Sequence, residues 1–444
     1  QYIRNIDNNR LYIQAGDSAL ESVGINLIRA KELAVSELGG LSTSETRAFA
    51  ANEFDQIISQ IFESANIKIK NQFVFSGTAF RTQPFEQSAS GAVYLGNTEN
   101  FQIAVGENTN ADFTIPGSSV LGNDLNPQLT SSTELSNLIG GSGITAGSFT
   151  ITDRSGNSGT VTVASTDTIS SLISKINALG GNVTASINSN GSGLQLTDGS
   201  SVISQALTVA EVSGGSTALE LGILGQRDGD ISGSDLNPTI TSATLISDLD
   251  GGDGLTLNEI GIVNGSASGT VTLSSATTIA DVITLINNSS FNVTASINSA
   301  GNSLLVTSNS SSTVAIVKNV GTDETAENLG LGGGKNVFTT LFKLRDALND
   351  DDTFAILASL ENLDSTLASV NNNRAVVGAS LRRVDLTDYV LEQNIVDQSQ
   401  QLSDLEDADI VKSTSDLANL EFALQATLAT TAQILQPTLL DFIR

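Results

Sequence analysis

The chain has 444 residues, of which 39% are hydrophobic, and it carries a formal net charge of −28. It contains no His, Cys, Met or Trp, which excludes the usual nucleophile–base pairs, soft metal ligands and disulfides. The acidic charge argues against a nucleic acid or an anionic membrane surface as partner, and neither a membrane span nor a signal peptide is predicted.

Residues 1–81 carry the pattern of a helical hairpin, the N-terminal part of a stalk. Apolar residues recur at helical spacing from Leu20 to Ala34, and Gly39-Gly40 ends this first helix. The apolar side of the second helix comprises Phe54, Ile57, Ile58, Ile61, Ala65 and Ile69. Alternating apolar residues then predict a small β-rich unit over residues 82–118.

An internal repeat fills the middle of the chain, where residues 82–334 carry 4 basic and 22 acidic side chains. Three strings occur twice: NVTASINS at 182–189 and 292–299, GTVT at 159–162 and 269–272, and DLNP at 124–127 and 235–238. We therefore predict two insertion repeats, residues 119–228 and 229–334.

Each repeat is predicted to be a small α+β domain with the order strand, strand, helix, strand, strand. In the first repeat Thr168 can cap the helix, and strands alternate on either side of it. The predicted core positions of the two helices are Ile169, Leu172, Ile173 and Ile176 in the first repeat, and Ile279, Val282, Ile283 and Ile286 in the second.

Residues 335–408 are predicted to form a long C-terminal stalk helix, with Asp352 or Thr353 as its N-cap. Its apolar seam steps by three and four residues, as in a coiled coil. The seam comprises Leu360, Leu363, Leu367, Val370, Val377, Leu381, Val384, Leu391, Ile395, Leu402 and Leu405. Arg374, Asp388 and Gln398 interrupt it, and they either fix its register or lie at its solvated edge.

Residues 409–444 are predicted to form a further helix, an axial-core helix whose apolar stripe packs against another subunit. The stripe comprises Leu417, Leu424, Leu428, Leu435, Leu439 and Phe442. Because the chain has no Met, we expect an amino-terminal segment before residue 1, and this segment or a neighbouring subunit could cover the stripe. The alternative is an ordinary amphipathic helix on a core within this chain.

The sequence contains no convincing catalytic, cofactor-binding or metal-binding residues, and no cofactor is predicted. Asp248–Gly254 resembles a calcium loop, but it lacks the required Gly at the sixth position, so we interpret it as an acidic turn. Gly330–Asn336 resembles a phosphate loop, but it lacks the first Gly and the following Ser or Thr. We interpret it as a connector that leads back to the stalk.

The predicted fold class is thus a multidomain α+β protein. An elongated, coiled-coil-like helical stalk comes from both chain ends, and the β-rich and small α+β domains are inserted at its tip. This arrangement directs the acidic, Ser- and Thr-rich middle outward.

The two ends resemble the flagellin superfamily, and within it the hook–filament junction family, the third of the hook-associated proteins. The resemblance covers residues 1–81 and 335–444. It is carried by residues 18–23, 29–34, 53–57, 71–78, 84–85, 377–379, 424–428 and 439–443. Each repeat resembles the insertion domain found in some flagellins and hook-associated proteins. The chain departs from the family in lacking the amino-terminal helix that normally pairs with the carboxy-terminal one.

This resemblance implies an exported structural subunit without catalysis, located outside the cell in the bacterial flagellum. It implies a homo-oligomeric ring, contacts with the preceding hook-associated protein and with flagellin, and an export chaperone. The first hypothesis is therefore a hook–filament adaptor. The alternatives are a filament flagellin with enlarged surface domains, an exported adhesin or carbohydrate-binding protein that uses residues 119–334, and, last, an enzyme.

Overall fold

A computed structural model describes residues 2–88, 91–106, 109–122 and 124–440, without the side chains of residues 406–410 and 435–440. Helices lie at both ends of the chain and small sheets lie between them, which confirms the α+β class. The larger of two units comprises Asn9–Ile103 and Asn110–Leu381. The smaller comprises the described residues of Gln1–Asn8, Ala104–Thr109 and Arg382–Arg444. No helix in the described part of the chain is long and apolar enough to cross a membrane.

The chain begins with two helices, α1 (Tyr2–Glu37) and α2 (Ser44–Ala65). Thr43 caps α2 reciprocally, since its hydroxyl accepts from the Thr46 amide at 3.3 Å and the Thr46 hydroxyl accepts from the Thr43 amide at 2.9 Å. The predicted apolar residues that lie within α2 are buried, and Phe54 and Ile61 are fully enclosed. The assignment of Ile69 to this helix was wrong, because α2 ends at Ala65 and Ile69 lies in a short strand, Lys68–Ile69, where it is partly exposed.

Three two-stranded sheets follow α2. The strands are β1 (Lys68–Ile69), β2 (Gln72–Phe73), β3 (Phe85–Ser88), β4 (Gly91–Tyr94), β5 (Gln102–Gly106) and β6 (Thr109–Asp112), paired in that order. Phe85 and Tyr94 stack with ring centroids 5.2 Å apart, and the Tyr94 hydroxyl donates to the carbonyl oxygens of Phe75 and Asn97. Both side chains are buried, at 1% and 3% exposure, and they contribute to the packing of the β-rich segment.

The first repeat contains two sheets and the predicted central helix. Its elements are β7 (Gly147–Thr152), β8 (Ser158–Val163), α3 (Ile169–Asn177), β9 (Val183–Ile187), β10 (Leu194–Asp198), β11 (Leu207–Glu211), α4 (Thr217–Glu220), β12 (Gly225–Arg227) and β13 (Ile231–Ser232). One sheet has the order β12-β11-β7-β8 and the other β13-β10-β9. Thr168 caps α3, as predicted.

The second repeat has the same central order of elements. They are β14 (Glu259–Asn264), β15 (Ala267–Thr272), α5 (Ile279–Asn287), β16 (Val293–Ile297), β17 (Leu304–Ser308), β18 (Ile316–Asn319) and α6 (Thr325–Asn328). The sheets are β15-β14-β18 and β16-β17. The predicted inward positions of α3 and α5 are buried except Ile173 and Ile283, which pack against the two cores while partly exposed.

Two further helices close the fold, α7 (Val337–Asn349) and α8 (Thr353–Leu440). Asp352 is the N-cap of α8, because its carboxylate accepts from the amides of Phe354 and Ala355 at 3.1 Å. Helix α7 packs on α2, where the rings of Phe62 and Phe338 lie 4.3 Å apart. Helix α8 continues through residues 408 and 409 without a break, and the proposed six-part division of the chain stays a prediction.

Candidate assembly surfaces

The exposure of the predicted apolar seam increases along α8. Leu363, Val370, Val377 and Val384 are at most 3% exposed. Leu360, Leu367, Leu381 and Leu391 are partly buried, whereas Ile395, Leu402 and Leu405 are 53–69% exposed. A seven-residue apolar repeat specifies only that a helix has a face to cover. The described chain covers that face up to about Leu391 and not beyond it.

Ion pairs join α1 to the buried part of this seam within the larger unit. The Arg374 guanidinium lies 3.3 Å from the Asp17 carboxylate and 3.5 Å from that of Glu21, and Lys31 pairs with Asp364. These side chains are partly exposed, so each pair adds little stability by itself. Arg374 therefore lies at the solvated edge of the seam, one of the two alternatives that the sequence left open.

The predicted stripe after residue 409 is exposed wherever its side chains are described. Leu417, Leu424 and Leu428 are 58–62% exposed. Leu435 and Leu439 belong to α8, but their side chains lie outside the described residues, as does Phe442 altogether. The sequence analysis missed Leu420 on the same face, exposed by 68%. Its position three residues after Leu417 and four before Leu424 was the available signal.

Isolated exposed apolar residues are common, but a continuous apolar face on a helix indicates an interaction site. The spacing of Leu417, Leu420, Leu424 and Leu428 places them on one side of α8. We call these four residues the terminal stripe. Such a stripe can bind another helix by side-chain interdigitation, and it has no chemistry for catalysis.

The two loops with motif-like sequences have structural roles. In the acidic turn, the Asp248 carboxylate accepts from the Gln128 side chain at 3.2 Å. In the glycine-rich connector, the Gly334 amide donates to the Ser365 hydroxyl at 2.9 Å and the Asn336 side chain donates to the Glu327 carbonyl at 2.9 Å. Among the described residues, no group of three His, Cys, Asp or Glu side chains could hold a metal ion.

Comparison with known proteins gives two family matches. Residues 360–443 match the bacterial flagellin C-terminal helical region, and residues 148–200 match the flagellin hook IN motif. The first match covers most of α8, including the seam and the terminal stripe. The second covers β7 to β10 of the first repeat. No curated protein matches the chain.

Solved structures similar to this chain include three flagellar proteins. Flagellar hook-associated protein 3 of Legionella pneumophila has a TM-score of 0.41 and 14% identity, over 91% of this chain and 95% of that one. FlgL of Xanthomonas campestris has a TM-score of 0.36 and 15% identity, over 90% and 97%. FliC of Burkholderia pseudomallei has a TM-score of 0.27 and 14% identity, over 84% and 99%. At these scores the likeness by itself supports no argument about function.

The family matches and the helical ends define a structural protein of the bacterial flagellum, with a flagellin-type C-terminal helical region and a flagellin hook motif. Both matched segments are flagellin-type, in agreement with the resemblance to the flagellin superfamily carried by the two ends of the chain.

Proposed function

We propose that this protein is the adaptor between hook and filament, and that it acts through helical packing without catalysing a reaction. The observation that carries the proposal is the change along α8, which is packed within the chain up to about Leu391 and exposes apolar side chains beyond it. An apolar helix face that the described residues leave uncovered needs a partner helix.

The proposal assigns two kinds of partner to the protein. One surface contacts the preceding hook-associated protein and another contacts flagellin, in a homo-oligomeric ring outside the cell. The seam residues Ile395, Leu402 and Leu405 and the terminal stripe supply the subunit-packing side chains. We further propose that the protein is exported and that an export chaperone covers this apolar face before assembly.

The test follows filament growth by electron microscopy. The full protein is added to hooks that carry the preceding hook-associated protein, and flagellin is added afterwards. We expect a short, self-limited layer at the hook end, from which filament growth starts only when flagellin is present. Flagellin growth that is indifferent to the protein would contradict the adaptor function.

The second candidate is a filament flagellin with enlarged surface domains, which the two family matches also favour because both describe flagellin segments. The same experiment separates the two. A filament flagellin elongates into long homopolymers without any added partner, whereas an adaptor stops after a short layer.

A further inference from the structure

The two repeats exchange their leading segments through reciprocal backbone hydrogen bonds. In the first segment the Leu125 amide donates to the Asn302 carbonyl at 2.8 Å, in a hairpin loop of the other repeat. In the second segment the Leu236 amide donates to the Ser192 carbonyl at 2.9 Å, again in the other repeat. Each DLNP string therefore binds the repeat to which it does not belong.

The hydrophobic cores of the two repeats show the same exchange. Leu125 belongs to the predicted first repeat but lies in the hydrophobic core of the second, and Leu236 belongs to the predicted second repeat but lies in the core of the first. The carbonyls of these two leucines accept the amides of Asp250 and Ile139, at 2.9 and 2.7 Å. Such reciprocal contacts are the isologous type that symmetric dimers use, here formed within one chain.

The Asp that starts each DLNP string lies where the two repeats meet the β-rich segment. Asp124 is 5% exposed, and its Oδ2 has no hydrogen-bond partner among the described residues. Asp235 borders a cavity of about 100 Å³ that Glu99 also lines. The β-rich segment reaches both repeats, since Glu99 accepts from the Ser192 hydroxyl at 3.4 Å and the Tyr94 carbonyl accepts from the Asn302 side chain at 3.2 Å. We call Tyr94, Glu99, Asp124 and Asp235 the hub.

The geometry points to a protonation-controlled joint: the hub holds the two repeats and the β-rich segment together when its aspartates are neutral, and it loosens when they ionise. An ionised Asp124 has an unpartnered oxygen in a buried site, which carries a large desolvation cost. Two carboxylates and Glu99 close together also repel one another. The cavity beside Asp235 gives water a place to enter once charge develops.

The pKa values of the two aspartates agree with this geometry. Burial raises the pKa of Asp124 to about 6, partly offset by the Asn126 amide and the Lys335 ammonium. Burial, together with the Glu99 and Asp124 carboxylates, raises the pKa of Asp235 to about 7, although hydrogen bonds from the amides of Asn237 and Thr98 oppose the shift. Tyr94 stays protonated, because burial and the Asp124 charge raise its own pKa.

The sign of the effect follows from linkage. An unfolded Asp titrates near pH 3.9, so between about pH 4 and pH 7 the folded hub binds protons that the unfolded chain has already lost. The stability of the hub is therefore fully present below about pH 4 and decreases as pH rises toward 7. We therefore expect the contacts between the two repeats and the β-rich segment to be more stable in mildly acidic solution than in mildly alkaline solution.

Hydrogen exchange on the full protein tests this joint. We expect the protection factors of the Leu125, Ile139, Leu236 and Asp250 amides to fall at least about tenfold between pH 5.5 and 8.5, since a pKa that differs by one between the closed and open joint changes their equilibrium about tenfold. The double variant D124N/D235N keeps the side-chain oxygens that accept from Asn126 and Asn237, and its protection factors should change by less than about twofold.

The exposed Asp253 provides the matched control, and D253N should behave like the unchanged protein. Protection factors that are flat with pH in the unchanged protein, or equally pH-dependent in D124N/D235N, would overturn the proposal. A fluorescence measurement covers the case in which the double variant does not fold. Because the chain has no Cys, dyes attached at S165C and S275C report only the distance between the two repeats. A distance distribution that does not change between pH 5.5 and 8.5 would also overturn the proposal.

Discussion

At the scale of single residues, one carboxylate connects the start of α8 to the second repeat. Asp352 accepts from the first-turn amides of α8, and its other oxygen accepts from the buried Val314 amide at 3.0 Å. The sequence predicted a cap at this position from residue type alone. The bond to Val314 could not be predicted, because the two residues are 38 positions apart and only the fold brings them together.

Replacement of Asp352 tests both bonds. We expect D352A to lower the free energy of unfolding by about 2 kcal/mol, since it removes a helix cap and leaves a buried amide without an acceptor. Chemical denaturation measures the change. D352S keeps an acceptor for α8 but is too short to reach both sites, so it should recover about half of the loss. Equal loss in both variants would mean that the cap contributes nothing.

Carboxylates that accept several hydrogen bonds also determine how the repeats respond to acid. Burial alone would raise the pKa of Asp153, but hydrogen bonds from Asn157 and Ser155 hold it below the usual range. Hydrogen bonds from Thr277 and Thr278 lower the pKa of Asp281 to about 2. The stability that such groups contribute is present above about pH 4 and is lost as pH falls through their folded pKa values.

At the scale of elements, the exchanged segments make each repeat depend on a residue that belongs to the other. We expect L125A to destabilise the second repeat and L129A the first, although the two residues lie four positions apart. Deletion of a buried Leu side chain costs about 2–5 kcal/mol. Hydrogen exchange in α5 and in α3 reports the two repeats separately. A loss of protection confined to α3 in L125A would contradict the exchange.

Replacement of an apolar residue by Ser is expected to have different effects in the exposed and the buried parts of α8. Ser at Leu417, Leu424 and Leu428 should leave thermal unfolding almost unchanged, because these side chains are exposed in the single chain, and it should abolish assembly onto hooks. V370S is the matched control: it places a hydroxyl at a fully buried position and should lower the unfolding temperature. Unimpaired assembly of the triple variant would remove the terminal stripe from the proposed packing surface.

At the scale of the whole molecule, aspartates with lowered pKa values limit the stability of the fold at low pH, and aspartates with raised pKa values limit it at higher pH. The contribution of groups with lowered pKa values, such as Asp153 and Asp281, is complete above about pH 4 and decreases progressively as pH falls below it. The hub aspartates, with raised values, favour it progressively less toward pH 7. We therefore expect the thermal unfolding temperature to be highest between about pH 4 and 6. Calorimetry across pH 3–9 measures this, and a maximum above pH 7 would show that the hub does not affect global stability.

The sequence by itself determined the helices at both ends, the duplication in the middle, the strand–helix order of each repeat and the absence of His and Cys. These features follow from local periodicity, capping residues and repeated strings, which act over a few positions. The repeated DLNP string was also visible, but only as a marker of duplication.

Only the tertiary structure decided which partner each apolar or ionisable group has. Leu363 and Leu402 both belong to the apolar seam that the periodicity predicts, yet Leu363 is buried and Leu402 is exposed. In the sequence Asp124 and Asp235 are only the first residues of a repeated string, and the exchange of the two leading segments brings them together in the hub. The physical reason is that the sequence specifies which face of an element is apolar, whereas burial and pKa depend on what the fold places against that face.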